Sequence, residues 1–283
     1  MTRRLLPALL AAAIALGAAG CGGDPAPAAD APHTHTALAA GDGTRASYVG
    51  YTLADVRFPA RPGVPGTLSF QIQDDRKQPV TDFLVELTKE MHVYVVSTDL
   101  SVFRHVHPEK AADGTWTGNL TVPRPGRYRV VVEFTARDEG GNGDQVVLGV
   151  ERTLGTPGKD VPAPPATTET TVDGTTVTIT KPPTVGYEHQ MELGISRDGE
   201  PAALGTYLGV YAHVSAFNLA TGALVHMHPL GSPETRDGRS DLTFHTGFRV
   251  PGDYRMFVQT RLSGVVRTIP MTITVTGEQP PAP

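Results

Sequence analysis

Six histidines recur in two blocks of identical spacing: His92, His105 and His107 in MHVYVVSTDLSVFRHVHP, and His213, His226 and His228 in AHVSAFNLATGALVHMHP. In each block thirteen positions separate the first histidine from the second, and His-x-His-Pro closes it. Imidazole is the commonest side-chain ligand for transition metals. Neutral ring nitrogens suit Cu(II) and Zn(II), whereas thioethers favour Cu(I). Cys21 is the only cysteine of the chain, which excludes thiolate clusters and intramolecular disulfides. Copper is the first expectation and zinc the second. The competing account is structural: histidines on a sheet face, hydrogen-bonded to backbone, with the proline ending the strand.

Ligation requires the three rings of a block to share a face, and a β-hairpin does this in one register only. His105 and His107 are two apart and point the same way on a strand. With strands over His92 to Val96 and Val102 to His107 and the turn centred between Asp99 and Leu100, His92 faces His107 and Tyr94 faces His105. The second block gives the same geometry around Asn218 to Gly222, with Gly222 suited to a positive φ. A slip of one residue would send the first histidine to the opposite face. Met91 and Met227 alternate away from the histidines and are expected to pack, not to ligate. His189 and His245 have no equivalents in the first block and are candidate extra ligands or incidental. His33 and His35 form a further His-Thr-His pair in an Ala- and Pro-rich segment, read as incidental.

The strands that would carry these residues are short and β-rich: GTLSFQIQD, HVYVVS, GRYRVVVEF, TTVTITK, DYRMFVQT and MTITVTG. They alternate with Gly, Pro and Asp turn signals. The halves align beyond the histidines, Asp113-Gly114 and Pro125 to Arg129 matching Asp237-Gly238 and Pro251 to Arg255. Tyr128 and Tyr254 are expected to bury their rings and tie their hydroxyls to backbone, as in a tyrosine corner. Trp116 reads as a packing residue. The fold class is therefore all-β: two tandem immunoglobulin-like antiparallel β-sandwich domains after a signal peptide and a disordered tether. The expected boundaries are 46–154 for the first sandwich, 155–170 for a Pro/Thr-rich linker and 171–278 for the second.

Arg3 and Arg4 followed by the apolar stretch Leu5 to Ala19 read as a signal peptide, 1–21, too short for a comfortable span. Ala18-Ala19-Gly20-Cys21 resembles a lipoprotein cleavage box with Cys21 as the lipidated residue. Residues 22–45 read as the tether. The chain is thus expected at the extracytoplasmic face of the membrane in the cell envelope, lipid-anchored. A net charge of −5 without a basic cluster argues against nucleic acid as a partner.

On His92, Asp99-Leu100, Phe103 to Pro108 and Pro125 to Arg129, with His213, Leu224 to Pro229 and Pro251 to Arg255 in the second copy, the chain resembles bacterial secreted or lipid-anchored proteins with YtkA-like or CopC-like β-sandwich domains. The resemblance implies an immunoglobulin-like fold outside the cytoplasm and a role in copper handling. The chain departs from CopC proper, whose histidine site begins at the mature N-terminus. No nucleophile elbow, His-Glu-x-x-His, phosphate loop or dinucleotide fingerprint is present, so no enzymatic activity is expected. The leading expectation is a metal-binding lipoprotein for copper or zinc storage, delivery or resistance. The alternative is a metal-free interaction module, two immunoglobulin-like domains engaging an envelope protein.

Overall fold

A computed structural model describes residues 39–138, 140–186 and 189–278. Cys21, His33, His35, the signal peptide and most of the tether lie outside the described residues. Within them every regular element is a β-strand. No helix among them is long and apolar enough to cross a membrane.

Each half is a two-sheet sandwich. In the first, one sheet runs in the order Ala40–Gly41, Gly143–Leu154, Gly126–Arg137, His92–Ser97, Phe103–Val106, and the other stacks Tyr51–Arg57, Gly66–Gln73 and Thr115–Leu120 opposite it. Leu68, Phe70, Ile72 and Trp116 of the second sheet meet Val93, Val95, Val130, Val132 and Leu148 of the first in one core. Trp116 stacks on Phe70 and meets the edge of Phe83, the packing role its sequence context implied. The second half repeats the plan, with Ala212–Asn218 and Leu224–Met227 beside Gly252–Leu262, and Gln190–Arg197 beside Arg239–His245 in the opposite sheet. Both Tyr128 and Tyr254 are buried and donate their hydroxyls to the carbonyls of Arg124 (2.7 Å) and Val250 (2.9 Å). These are the tyrosine corners, and each pins the entry to the long strand that follows its Pro-Gly step.

One segment departs from the sequence expectation. Residues 40–45 were read as tether, yet Ala40–Gly41 pair in parallel with Val146 and Val147, in a fold expected to be antiparallel. Gly43 and Arg45 continue the bonding to Val147 and Gly149. The approach is so close that a Cβ on Gly149 would collide with the Gly43 carbonyl oxygen. A two-residue strand held by backbone and two glycines has no side-chain alternation, so no periodic signal marks it.

The two sandwiches belong to one compact unit and share a third apolar cluster. Tyr94, Val96, Leu100, Phe103, Val131 and Val147 on the outer face of the first sheet meet Phe217, Leu224 and Phe257 of the second half. Phe103 lies flat on Phe257, ring centroids 4.3 Å apart at 11°. The histidine-bearing sheets therefore pack face to face and are covered on both sides. This explains why His92–Ser97 and Ala212–Asn218 are buried at every position instead of alternating.

Candidate metal centre

The hairpins have the register that brings the rings together. Tyr94 pairs with His105 and Val93 with Val106, so the turn is centred between Asp99 and Leu100. In the second hairpin Ser215 pairs with His226 and Val214 with Met227. The first turn puts Leu100 at φ 53°. Asp99 secures it by accepting from Ser97, Ser101 and Arg124, while Leu100 itself is buried in the interdomain cluster. These hydrogen bonds outweigh burial and hold the Asp99 carboxyl well below its usual range. In the second turn Gly222 takes the positive φ, 71°, and the Asn218 side-chain oxygen accepts from the Ala220 and Thr221 amides.

His92 Nδ1, His105 Nε2 and His107 Nε2 converge, separated by 3.3, 3.3 and 3.1 Å. In the second block His226 Nε2 and His228 Nε2 are 3.0 Å apart, and His213 completes the group. In each group one ligand atom per residue lies within 4.8 Å of the others. Three nitrogens each ~2.0–2.1 Å from one ion at tetrahedral angles would be about 3.3 Å apart. Met91 and Met227 point away into the two domain cores. His189 and His245 are exposed, and His245 pairs with Gln190 in the opposite sheet, so neither joins the groups.

The outward nitrogens decide what the inward ones can be. His92 Nε2 is 3.1 Å from the Glu86 carbonyl and His213 Nε2 is 3.0 Å from the Tyr207 carbonyl. A carbonyl only accepts, so both Nε2 atoms carry the proton and both Nδ1 atoms present a lone pair inward. His105 Nδ1 donates to Gln259 Oε1 (2.8 Å), and His226 Nδ1 donates to Glu133 Oε2 (2.6 Å). Their inward Nε2 atoms are then lone pairs as well. His92 Nδ1 and His105 Nε2 thus face each other at 3.3 Å with no hydrogen between them. His213 Nδ1 is buried without a hydrogen-bond partner. Hydrogen-bonding a ring's far nitrogen to a carbonyl or carboxylate is the arrangement that fixes a ligating tautomer.

The acceptors cross between domains. Glu133 of the first half serves His226 of the second, and Gln259 of the second serves His105 of the first. Tyr94 ties the two groups further: its ring stacks on His105 at 4.5 Å, and its hydroxyl donates to Glu133 Oε2 (3.1 Å) and lies 2.7 Å from His226 Nδ1. Gln145 steadies the other carboxylate oxygen at 3.2 Å. Ring centroids of the two groups approach to 5.7 Å (His92 and His226) and 5.8 Å (His105 and His213). The six rings form one cluster across the domain interface.

Burial pushes His92, His105, His107 and His213 toward the neutral form. It lowers His107 to about 3, helped by His92, His213 and Lys89. It lowers His213 to about 4, against the pull of the Tyr207 carbonyl and Glu133. His105 is driven well below the usual imidazole range by burial and then by its histidine neighbours. Neutral imidazole is the ligating form.

Sequence reasoning singled out the six histidines and set Tyr94 opposite His105, but it gave Tyr94 no part in the site and missed Glu133 and Gln259. A signal for Glu133 and Gln259 was present: each follows the tyrosine of its Pro-Gly-x-Tyr-Arg step by five positions, a polar residue inside a strand interior that is otherwise buried and largely apolar.

A family model described as "Domain of unknown function (DUF8832)" matches residues 46–145 and again 170–277. No curated protein sequence matches. Among solved structures the chain is similar to Yersinia pseudotuberculosis InvD (17% identity, 80% of this chain and 57% of that chain, TM-score 0.22). It is also similar to invasin, described as a bacterial integrin-binding protein (13%, 81% and 39%, TM-score 0.22), and to the Clostridium thermocellum CbhA fibronectin(III)-like modules (13%, 81% and 94%, TM-score 0.22). The chain thus spans little more than half of InvD and less than half of the invasin chain. At these scores the likeness carries no argument about the site.

Proposed function

We propose, for a chain that belongs to the DUF8832 family by two matches covering most of its length, that it binds a transition-metal ion through His92, His105, His107, His213, His226 and His228. The observation that carries this reading is the set of inward lone pairs. In each group the outward nitrogens of two rings are tied to acceptors, which turns two lone pairs inward, and the third ring, His107 or His228, can offer them at most one proton through its Nε2. A structural histidine cluster would be built to satisfy its nitrogens with each other. Here one such proton would have to serve two lone pairs and His213 Nδ1 finds no partner at all, whereas a cation would take all three nitrogens of a group.

Copper is the first choice and zinc the second, because the donor set is all imidazole with the methionines turned away. The YtkA-like and CopC-like resemblance supports the same choice. The residues hold, shield and orient the ion; we assign no catalytic step to them. With Cys21 as the lipid-bearing residue the protein would act at the extracytoplasmic face of the membrane, in metal storage, delivery or resistance.

The test is titration of the full-length protein with Cu(II) and with Zn(II), beside the His105→Ala/His107→Ala and His226→Ala/His228→Ala variants. At least one of the two pairs of substitutions should weaken binding by about 100-fold or more, the upper end of what loss of an outer hydrogen bond alone costs. Affinities unchanged in both variants would sink the reading.

A further inference from the structure

The two groups are alike in ligands and unlike in surroundings. Glu133 and Gln259 occupy matching positions: Glu133 lies opposite His92 in one sheet, and Gln259 opposite His213 in the other. Each reaches across the interface to the other half's histidine, yet one brings a negative charge and the other a neutral amide. Glu133 also lies across the strand from His92, but its hydrogen bond goes to His226 of the other half. A carboxylate behind a ligating histidine makes the ring a stronger donor and offsets part of the ion's charge, and an amide does the first weakly and the second not at all. Both groups are largely out of water and their rings approach within 6 Å, inside a Debye length, so charges placed in them interact with little screening.

Resting on the metal-binding reading above, we propose that the six histidines form one centre with unequal halves, in which His213, His226 and His228 take a divalent ion first and His92, His105 and His107 take a second ion tightly only when the ions are monovalent. The repulsion between two bound ions scales with the product of their charges. It is fourfold larger for two dications than for two cuprous ions at the same separation. One carboxylate offsets a single monovalent charge well and a pair of dications poorly. The occupancy of the centre is therefore set by the charge of the ion, and for copper by its oxidation state.

The experiment is chelator-buffered titration of the detergent-solubilised full-length protein with Zn(II), and with Cu(I) under anaerobic reducing conditions. Zn(II) should load one ion per chain, with the second weaker by about 100-fold or more, while two Cu(I) ions should load within about tenfold of one another, as the charge product requires. The His226→Ala/His228→Ala variant should lose the tight Zn(II) event and the His105→Ala/His107→Ala variant should retain it. Gln259→Glu supplies the missing carboxylate and should tighten the second Zn(II) by about 10–100-fold, a gain that a damaged fold does not produce. Two Zn(II) ions of equal affinity, a tight event that resides in the His92 half, or no gain in Gln259→Glu would each overturn the proposal while leaving metal binding in place. Absence of any Zn(II) or Cu(I) binding at micromolar concentration would overturn both.

Discussion

Replacing His213 by leucine should leave the metal-free protein about as stable as before, or more so, while greatly reducing its stabilisation by metal. His213 is fully buried, its Nδ1 has no hydrogen-bond partner, and its Nε2 donates to the Tyr207 carbonyl. A buried, unsatisfied polar atom costs about 1–3 kcal/mol, and a typical hydrogen bond contributes about 0.5–1.5 kcal/mol. His213→Leu removes the first and loses the second. The carbonyl left behind is not orphaned, because the Val210 amide also donates to it at 3.3 Å. Leucine is close to histidine in volume, so the cavity contribution is small. The balance runs from about −0.5 to about 2.5 kcal/mol in favour of the variant, by the same two ranges. At about 2–4 °C per kcal/mol for a chain of this size, that is little change or a rise of several degrees.

Metal reverses the order. An ion held at 100 times its Kd stabilises the folded wild type by about 2.7 kcal/mol, and a variant lacking one ligand of the tighter group should gain far less. Thermal unfolding of both proteins, once in chelator and once in buffered Zn(II), reads the two effects separately. Wild type should unfold at or below the variant's temperature without metal and well above it with metal. If His213→Leu loses more than about 2 kcal/mol in chelator, beyond what the loss of one neutral hydrogen bond explains, and Zn(II) moves neither protein, the histidines are structural and the reasoning from lone pairs fails.

The metal-free protein should also be acid-sensitive in a defined window. His107 and His213 are held at about 3 and about 4 in the folded chain, by burial first, against ~6.5 for imidazole in the unfolded chain. Between those values the unfolded chain binds more protons, so this stability is fully present above ~6.5 and is lost as pH falls toward 4 and then 3. Urea midpoints measured in chelator should decline from pH 7 to pH 4, and a flat profile would contradict the burial of neutral rings. Tyr128→Phe and Tyr254→Phe should each cost about 0.5–1.5 kcal/mol, one neutral hydrogen bond, with Zn(II) affinity unchanged. Loss of metal binding in either would place the corner residues in the site.

The register of the hairpins was legible because local rules fix it. His-x-His places two rings on one face, the spacing sets the turn centre, and Gly222 marks where φ turns positive. The same rules turned Met91 and Met227 inward. The tyrosine corners were legible for a similar reason, since the Pro-Gly-x-Tyr-Arg step carries its own backbone partner four residues upstream. The parallel pairing of Ala40–Gly41 was not, because backbone bonds, close glycine packing and small alanine contacts hold it, and none of these leaves a periodic pattern. Glu133 and Gln259 were overlooked because their partners lie 93 and 154 residues away in sequence. No spacing rule reaches that far. What the sequence does contain is a polar residue at the same place in two largely apolar strands. Its significance appears only once the two sheets are known to face each other.

That facing also explains why the site needs both copies. In a lone sandwich the histidine face would be the outer surface of a sheet, with its rings in water. His105 Nδ1 and His226 Nδ1 would have no fixed acceptor, so their tautomers would be free to exchange and the inward lone pairs would not be enforced. Docking changes both conditions together. Phe103 on Phe257 and the surrounding apolar cluster hold the two faces together and bury His92 and His213, and the same face delivers Gln259 to His105 and Glu133 to His226. Each domain supplies three candidate ligands of its own and one acceptor for the other. A substitution that loosens the interface without touching a histidine therefore acts on both groups at once. Duplication did not make two copies of a site that one domain already had; it made the faces against which either copy becomes one.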